Sequence, residues 1–161
     1  MVKMSYNVFF SHSSADRHWV ERIVKSAQST GISIYLHEYD PQPGRSIADK
    51  IKQRIRSCDA FVVLITPSSQ YSAYVHQEIG FAEDIPKPII PLVQPGTDER
   101  SLGMLQGREY IAFDLYNPDK AISTLLGHLQ KLKGAKESGA AILVLATAAL
   151  LLLAWKSGKE K

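Results

Sequence analysis

Short apolar runs alternate with stretches whose apolar residues recur every three or four positions, the pattern of strands alternating with helices. Tyr6–Phe10, Ile32–Leu36, Ala60–Ile65, Pro88–Val93 and Tyr110–Phe113 read as five strands. The third is apolar without interruption, as expected at the centre of a parallel sheet covered on both faces. Between the strands, Val20, Ile23, Val24 and Ala27 recur at helical spacing after Ser13 or Ser14, either of which can cap, and Gly31 stops that helix. Ser46 and Asp49 have the spacing of a capping box ahead of Ile47, Ile51 and Ile55. Val75, Ile79 and Ala82 define a helix over about 72–83, and a last amphipathic helix runs from Pro118 to about Lys133. Two segments, 37–45 with two prolines and a glycine and 94–109, read as loops. The order predicts an α/β fold, a five-stranded parallel sheet with helices on both faces.

The 161 residues suffice for one domain of ordinary size. Charge divides unevenly. Residues 1–130 hold 13 Lys/Arg against 14 Asp/Glu, and the excess of lysines lies after them. A body without basic excess argues against nucleic acid as a partner, because such binding needs several phosphate contacts. Cys58 is the single cysteine, so neither an intrachain disulfide framework nor a multi-cysteine metal site is available.

From Ser138 to Trp155 the chain carries no charge. As a helix it would span roughly 27 Å, close to a hydrocarbon core of about 30 Å. Lysines flank it on both sides, and no comparable apolar run opens the chain as a signal peptide would. The expected organisation is therefore a folded domain at 1–133, a basic linker at 134–137, a transmembrane helix at 138–155 and a basic tail at 156–161. The expected location is a membrane, single-pass, with the body cytoplasmic. The competing reading of 138–155 is a buried core helix or an oligomerisation helix.

In open α/β sheets ligands sit beyond the carboxyl ends of the strands. That rim carries Ser11–Asp16, His37–Arg45 and Thr66–Ser72 with the helix that follows. On that helix Tyr74 and Glu78 are one turn apart and share a face. An aromatic plate beside a carboxylate suits a flat base and its ribose, although such pairs also arise on surface helices without a role. His12 with Ser11, Ser13 and Asp16 lies in one short turn, whereas nucleophilic triads draw on separated segments, and no nucleophile elbow is present. His37 and His76 lack partners at metal spacing, so no metal site is expected. The glycines match neither the dinucleotide fingerprint nor the phosphate-binding loop.

Val8-Phe9-Phe10-Ser11-His12-Ser13-Ser14-Ala15-Asp16 resembles the first box of Toll/interleukin-1 receptor (TIR) domains, of the prokaryotic type. Asp40-Pro41-Gln42-Pro43-Gly44-Arg45-Ser46 resembles their BB loop. Ser72-Ala73-Tyr74-Val75-His76-Gln77-Glu78-Ile79 is similar to the segment that holds the glutamate of catalytic members. The resemblance covers roughly residues 5–130, with the three motifs in register. It implies a flavodoxin-like sheet of order 2-1-3-4-5 and cleavage of the nicotinamide–ribose bond of NAD+, with NAD+ as substrate and no bound cofactor. It also implies Glu78 as the catalytic carboxylate, Tyr74 stacked on the nicotinamide, and Ser11, His12 and Ser13 near the nucleotide. Asp40, Pro41, Pro43, Gly44 and Arg45 would carry self-association or contact with other TIR proteins. Three departures stand out: Tyr74 replaces a commoner tryptophan, a frequent cysteine before the glutamate is missing, and His37 stands where an acid is frequent.

Three functions follow as expectations. The first is a membrane-anchored NAD+ glycohydrolase, an immune or stress effector activated by self-assembly. The second is a synthase releasing a cyclic ADP-ribose as a signal. The alternative from another class is a non-catalytic TIR adaptor at a membrane.

Overall fold

A computed structural model describes residues 5–39 and 42–158, with side chains for all of these except Tyr39, Glu99 and residues 140–158. Strands β1 (Tyr6–Ser11), β2 (Ile32–Tyr35), β3 (Ala60–Ile65), β4 (Ile89–Val93) and β5 (Ile111–Ala112) form one parallel sheet of order β2-β1-β3-β4-β5. Four helices connect or follow them: α1 (Arg17–Ala27), α2 (Ile47–Ser57), α3 (Ala73–Glu83) and α4 (Pro118–Gly158). The α/β class, the five parallel strands and their order agree with expectation.

The sheet separates two cores, and β3 serves both. Ala60, Val62 and Leu64 face one side, where Val20 and Ile23 of α1 and Ala121, Ile122, Leu125 and Leu129 of α4 pack. Phe61, Val63 and Ile65 face the other, under Ile51 and Ile55 of α2 and Val75, Ile79 and Ala82 of α3. Two-residue alternation with both faces buried is why the third strand carries no polar residue. Registers such as Phe10↔Val62 and Val63↔Pro91 fix the strand ends relative to one another.

The cap expected at Ser46 is present, whereas Ser13 caps the 3₁₀ turn ahead of α1 rather than α1 itself, whose N-cap, Asp16, makes no side-chain capping bond. Ser46 Oγ accepts from Asp49 N at 3.3 Å and starts α2, and Ser72 Oγ accepts from Val75 N at 3.4 Å and starts α3. Ile47 departs from its expected place on the buried face: it is 51% exposed, while Ile51 and Ile55 are buried. Cys58 is half-buried, its thiol pushed up by burial and hydrogen-bonded to Ile55 O at 3.1 Å. The expected loop at 94–109 contains a 3₁₀ stretch, Glu99–Leu105, that buries Leu102 and Leu105 in the second core.

The expected membrane placement is overturned. Among the described residues no helix is long and apolar enough to cross a membrane, so neither a transmembrane helix at 138–155 nor a single-pass topology is supported. Residues 134–155 instead continue α4, a single 41-residue helix whose first turns are packed on the sheet. The helix stays tied to the body beyond Lys133: Lys133 Nζ donates to Thr30 O at 3.3 Å, and Lys136 pairs with Asp59 at 2.7 Å. The side chains of 140–158 and the end of the basic tail lie outside the described residues.

Candidate active site

Three strand ends converge at one rim. β1 runs into a 3₁₀ turn at Ser14–Asp16, capped by Ser13 Oγ accepting from Ala15 N at 3.1 Å. Its neighbour β2 leaves the sheet through a 3₁₀ turn at His37–Tyr39. On its other side β3 ends in a turn where Thr66 Oγ1 donates to Asp16 Oδ2 at 2.9 Å and Ser69 Oγ donates to Leu64 O at 3.2 Å. Asp16 is thus a buried brace between the first loop and β3, its carboxyl pushed up by burial. Because the connections from β1 and β3 diverge to opposite faces, a crevice opens between them, at the switch point of the sheet.

That crevice is a cleft of about 290 Å³. Phe10, His12, Ser13 and Ser14 line it from β1 and the following loop, His37 and Glu38 from the exit of β2, and Ser72, Tyr74 and Glu78 from α3. Glu78 is only 7% exposed, whereas Tyr74, one turn earlier, is 58% exposed at the mouth. The Ser11 hydroxyl, itself buried at the end of β1, donates to Glu78 Oε2. Burial pushes the Glu78 carboxyl up to about 7; the Ser11 hydrogen bond opposes this and the Glu38 charge adds to it. Near neutrality Glu78 is therefore divided between its protonated and ionised forms.

His12 is almost fully enclosed, with 4% of its side chain exposed. Its Nε2 stands 3.4 Å from Glu38 Oε1, within ion-pair distance, but no hydrogen bond is aligned there. Its Nδ1 faces Phe10 O at 3.4 Å. The cleft thus brings together Glu78, Tyr74, His12 and Ser13, all singled out from the sequence, and Ser11, also singled out, joins them through its hydrogen bond to Glu78. Glu38 was missed individually. It follows His37, where the family resemblance leads one to look for an acid, and the 3₁₀ turn swings the next carboxylate into the cleft instead.

The BB-loop residues stand apart. Pro43, Gly44 and Arg45 are exposed, and Asp40 and Pro41 lie outside the described residues. Gly44 has φ +81°, a left-handed turn conformation that favours glycine. Arg45 holds the turn through Gln42 Oε1 at 2.8 Å and through Gln53 Oε1. A second cavity of about 390 Å³ lies under this loop, and His37 and Glu38 form the wall it shares with the cleft. A larger cavity of about 510 Å³ beyond β4 and β5 contains Arg108, which is already paired with Glu83 at 2.8 Å. It has no buried carboxylate among its lining residues. Among the described residues no three His, Cys, Asp or Glu side chains are grouped to hold a metal ion.

Ser11→Ala tests the electrostatic account. Removing a hydroxyl that stabilises the ionised carboxylate should raise the Glu78 titration midpoint by about one pH unit. A carboxyl-carbon NMR titration of Glu78 would read it, and an unchanged midpoint would refute the assigned role of Ser11.

Residues 8–126 match the family model described as TIR domain. Over 134 residues the chain is 26% identical to the "Probable 3' cyclic ADP-D-ribose synthase ThsB'" of Bacillus cereus, covering 78% of this chain and 66% of that protein. Over 80 residues it is 29% identical to Toll-like receptor 1 of Homo sapiens, covering 49% of this chain. The chain spans 10% of the receptor's length and just under two thirds of the synthase's. Among solved structures, the TIR domain of the Toll-related receptor TRR-2 of Hydra magnipapillata superposes with a TM-score of 0.64 at 18% identity, over 80% of this chain and 99% of that one. The TIR domains of the activated Roq1 resistosome give 0.65 at 16% identity, over 78% and 99%. These two likenesses are of fold. The family model covers most of the chain, and the protein belongs to the TIR domain family.

Proposed function

We propose that this TIR domain is an NAD+ glycohydrolase that cleaves NAD+ to nicotinamide and ADP-ribose or a cyclic ADP-ribose. The observation that carries the reading is Glu78: a carboxylate buried in the switch-point cleft, with a proton affinity near neutrality and an exposed aromatic ring one turn away. The similarity to a protein named as a cyclic ADP-ribose synthase supports the same chemistry.

The reaction suits a single carboxylate. The base of NAD+ is cationic, so the electrons of the glycosidic bond return to its ring nitrogen and nicotinamide departs neutral without a general acid. The positive charge moves to the ribose C1′–O4′ unit. Ionised Glu78 accepts hydrogen bonds from the ribose hydroxyls and stabilises that charge, a simpler demand than the paired carboxylates of ordinary glycosidases. Water then adds to C1′ and loses a proton, giving ADP-ribose; a hydroxyl of the same molecule adding instead gives a cyclic product. Tyr74 covers the face of the base, while His12 and Ser13 lie along the path of the rest of the substrate. The BB loop, with Pro43, Gly44 and Arg45 exposed, is the proposed self-association surface, and assembly raises activity.

The test is incubation of the full chain with NAD+ at rising protein concentration, with nicotinamide and all adenine-containing products separated by chromatography. Nicotinamide release that grows faster than protein concentration is expected. Intact NAD+ at concentrations where light scattering shows association would overturn the reading and favour a non-catalytic adaptor.

A further inference from the structure

We propose that Glu38 is a specificity-determining residue: its carboxylate and that of Glu78 flank one cleft and select a substrate base with a fixed positive charge. The inference rests on the glycohydrolase reading and adds the feature of the substrate that is recognised.

The argument begins with the cleft's composition. Its described lining contains two carboxylates, Glu38 and Glu78, and neither lysine nor arginine. Arg45 and Lys50 line the adjoining cavity under the BB loop, which shares His37 and Glu38 with the cleft, and neither lines the cleft itself. The titratable groups that do face the two carboxylates are His12 from the loop after β1, His37 at the exit of β2, and Tyr74 on α3. Two like charges without a cation between them form an unfavourable arrangement unless a proton or a cationic guest relieves it. Glu78 in fact holds its proton more tightly because Glu38 is there. That proton relieves the repulsion, and a pyridinium ring beside the two carboxylates relieves it equally well.

A second observation points to a guest. His12 Nε2 is buried in the cleft, 3.4 Å from Glu38 Oε1 but without an aligned hydrogen bond. An enclosed ring nitrogen left unpaired is costly, and a ligand with a polar substituent restores its hydrogen bond. Tyr74 offers an exposed aromatic face at the mouth, which attracts a cation. Together these features describe an aromatic cation carrying a hydrogen-bonding group. A neutral ring of the same shape gains the stacking and the hydrogen bond but not the two carboxylates.

Nicotinamide and its N-methyl cation separate charge from shape, since they share ring and carboxamide. NMR chemical-shift titration of the full chain with each probe reads weak affinities directly and requires no turnover. The N-methyl cation is expected to bind about tenfold more tightly than nicotinamide at low salt. Glu38→Gln should remove most of that preference and leave nicotinamide affinity within about twofold. Glu38→Asp should retain it. The same Glu38→Gln protein should show Glu78 titrating below its wild-type midpoint of about 7, a change that a purely structural role for Glu38 would not produce. Equal affinity for both probes, an undiminished preference in Glu38→Gln, or no shift with either probe would overturn the inference. Failure of the underlying reading looks different. A Glu38-dependent cation preference in a protein that releases no nicotinamide from NAD+ supports the inference and removes the glycohydrolase activity.

Discussion

Glu78→Gln is expected to abolish nicotinamide release and, above neutral pH, to make the protein more stable. The two effects have one origin. Glu78 is buried, and burial opposes its charged form, so its carboxyl is pushed from an ordinary value of 4.5 up to about 7. A group that binds its proton more tightly folded than unfolded contributes stability below the unfolded value and loses it as pH rises through the folded one. Between about pH 4.5 and 7 the wild-type domain therefore loses stability from this site, and beyond that window the loss is complete, at most about 3 kcal/mol. Glutamine keeps the shape, accepts the Ser11 hydroxyl and never ionises. The variant should match the wild type in melting temperature at pH 5 and exceed it by about 5–10 °C at pH 8. Scanning calorimetry at the two values decides the matter; an equal gain at both would show that charge burial is not the cause. In turnover, loss of the carboxylate should cost at least about a hundredfold. The wild-type kcat/KM should rise with pH through about 7, because the proposed reaction uses the ionised form. Ionising Glu78 thus costs the fold stability near physiological pH, and the proposed chemistry requires that ionised form.

What could be read from the sequence was what local pattern determines. Strands β1 and β3, the cap at Ser46, and the shared helix face of Tyr74 and Glu78 all follow from alternation, capping chemistry and helical period. Period alone placed Glu78 near the buried Val75 and Ile79 without showing that it is itself enclosed. That depends on Ser11, brought against it by the register of β1 on β3. Glu38 was illegible for a similar reason: the direction of its carboxylate is set by one 3₁₀ turn, which carries no periodic signal. The 3₁₀ stretch at Glu99–Leu105 is too short to show amphipathic repetition, and only its packing reveals why Leu102 and Leu105 are apolar. The expected stop of the last helix near Lys133 failed because contacts distant in sequence, to Thr30 and Asp59, hold the next turn on the body.

Phe61→Ala should come close to unfolding the domain, and the reason lies in the two-sided sheet. Phe61 is fully buried on β3, stacked on Phe9 with ring centroids 5.7 Å apart, and packs in the core under α2 and α3. Removing the ring loses its transfer free energy and leaves a void that neighbouring strands cannot close, because backbone pairing on both sides fixes their spacing. The cost should be about 3–5 kcal/mol, a large part of the 5–15 kcal/mol typical of a domain. Leu64→Ala, on the opposite face, should cost about 2–5 kcal/mol, yet the two variants should differ in function. Phe61 supports the face from which α3 presents Tyr74 and Glu78, so its loss should disturb the cleft even in molecules that remain folded. Leu64 supports α1 and α4, and its folded molecules should keep wild-type turnover per molecule. Urea unfolding with unchanged slope measures the first comparison, and activity normalised to the folded fraction measures the second. Equal specific activities for the two folded variants would mean that the cleft is held by its own hydrogen bonds, Ser11 to Glu78 and Thr66 to Asp16, rather than by the core beneath α3.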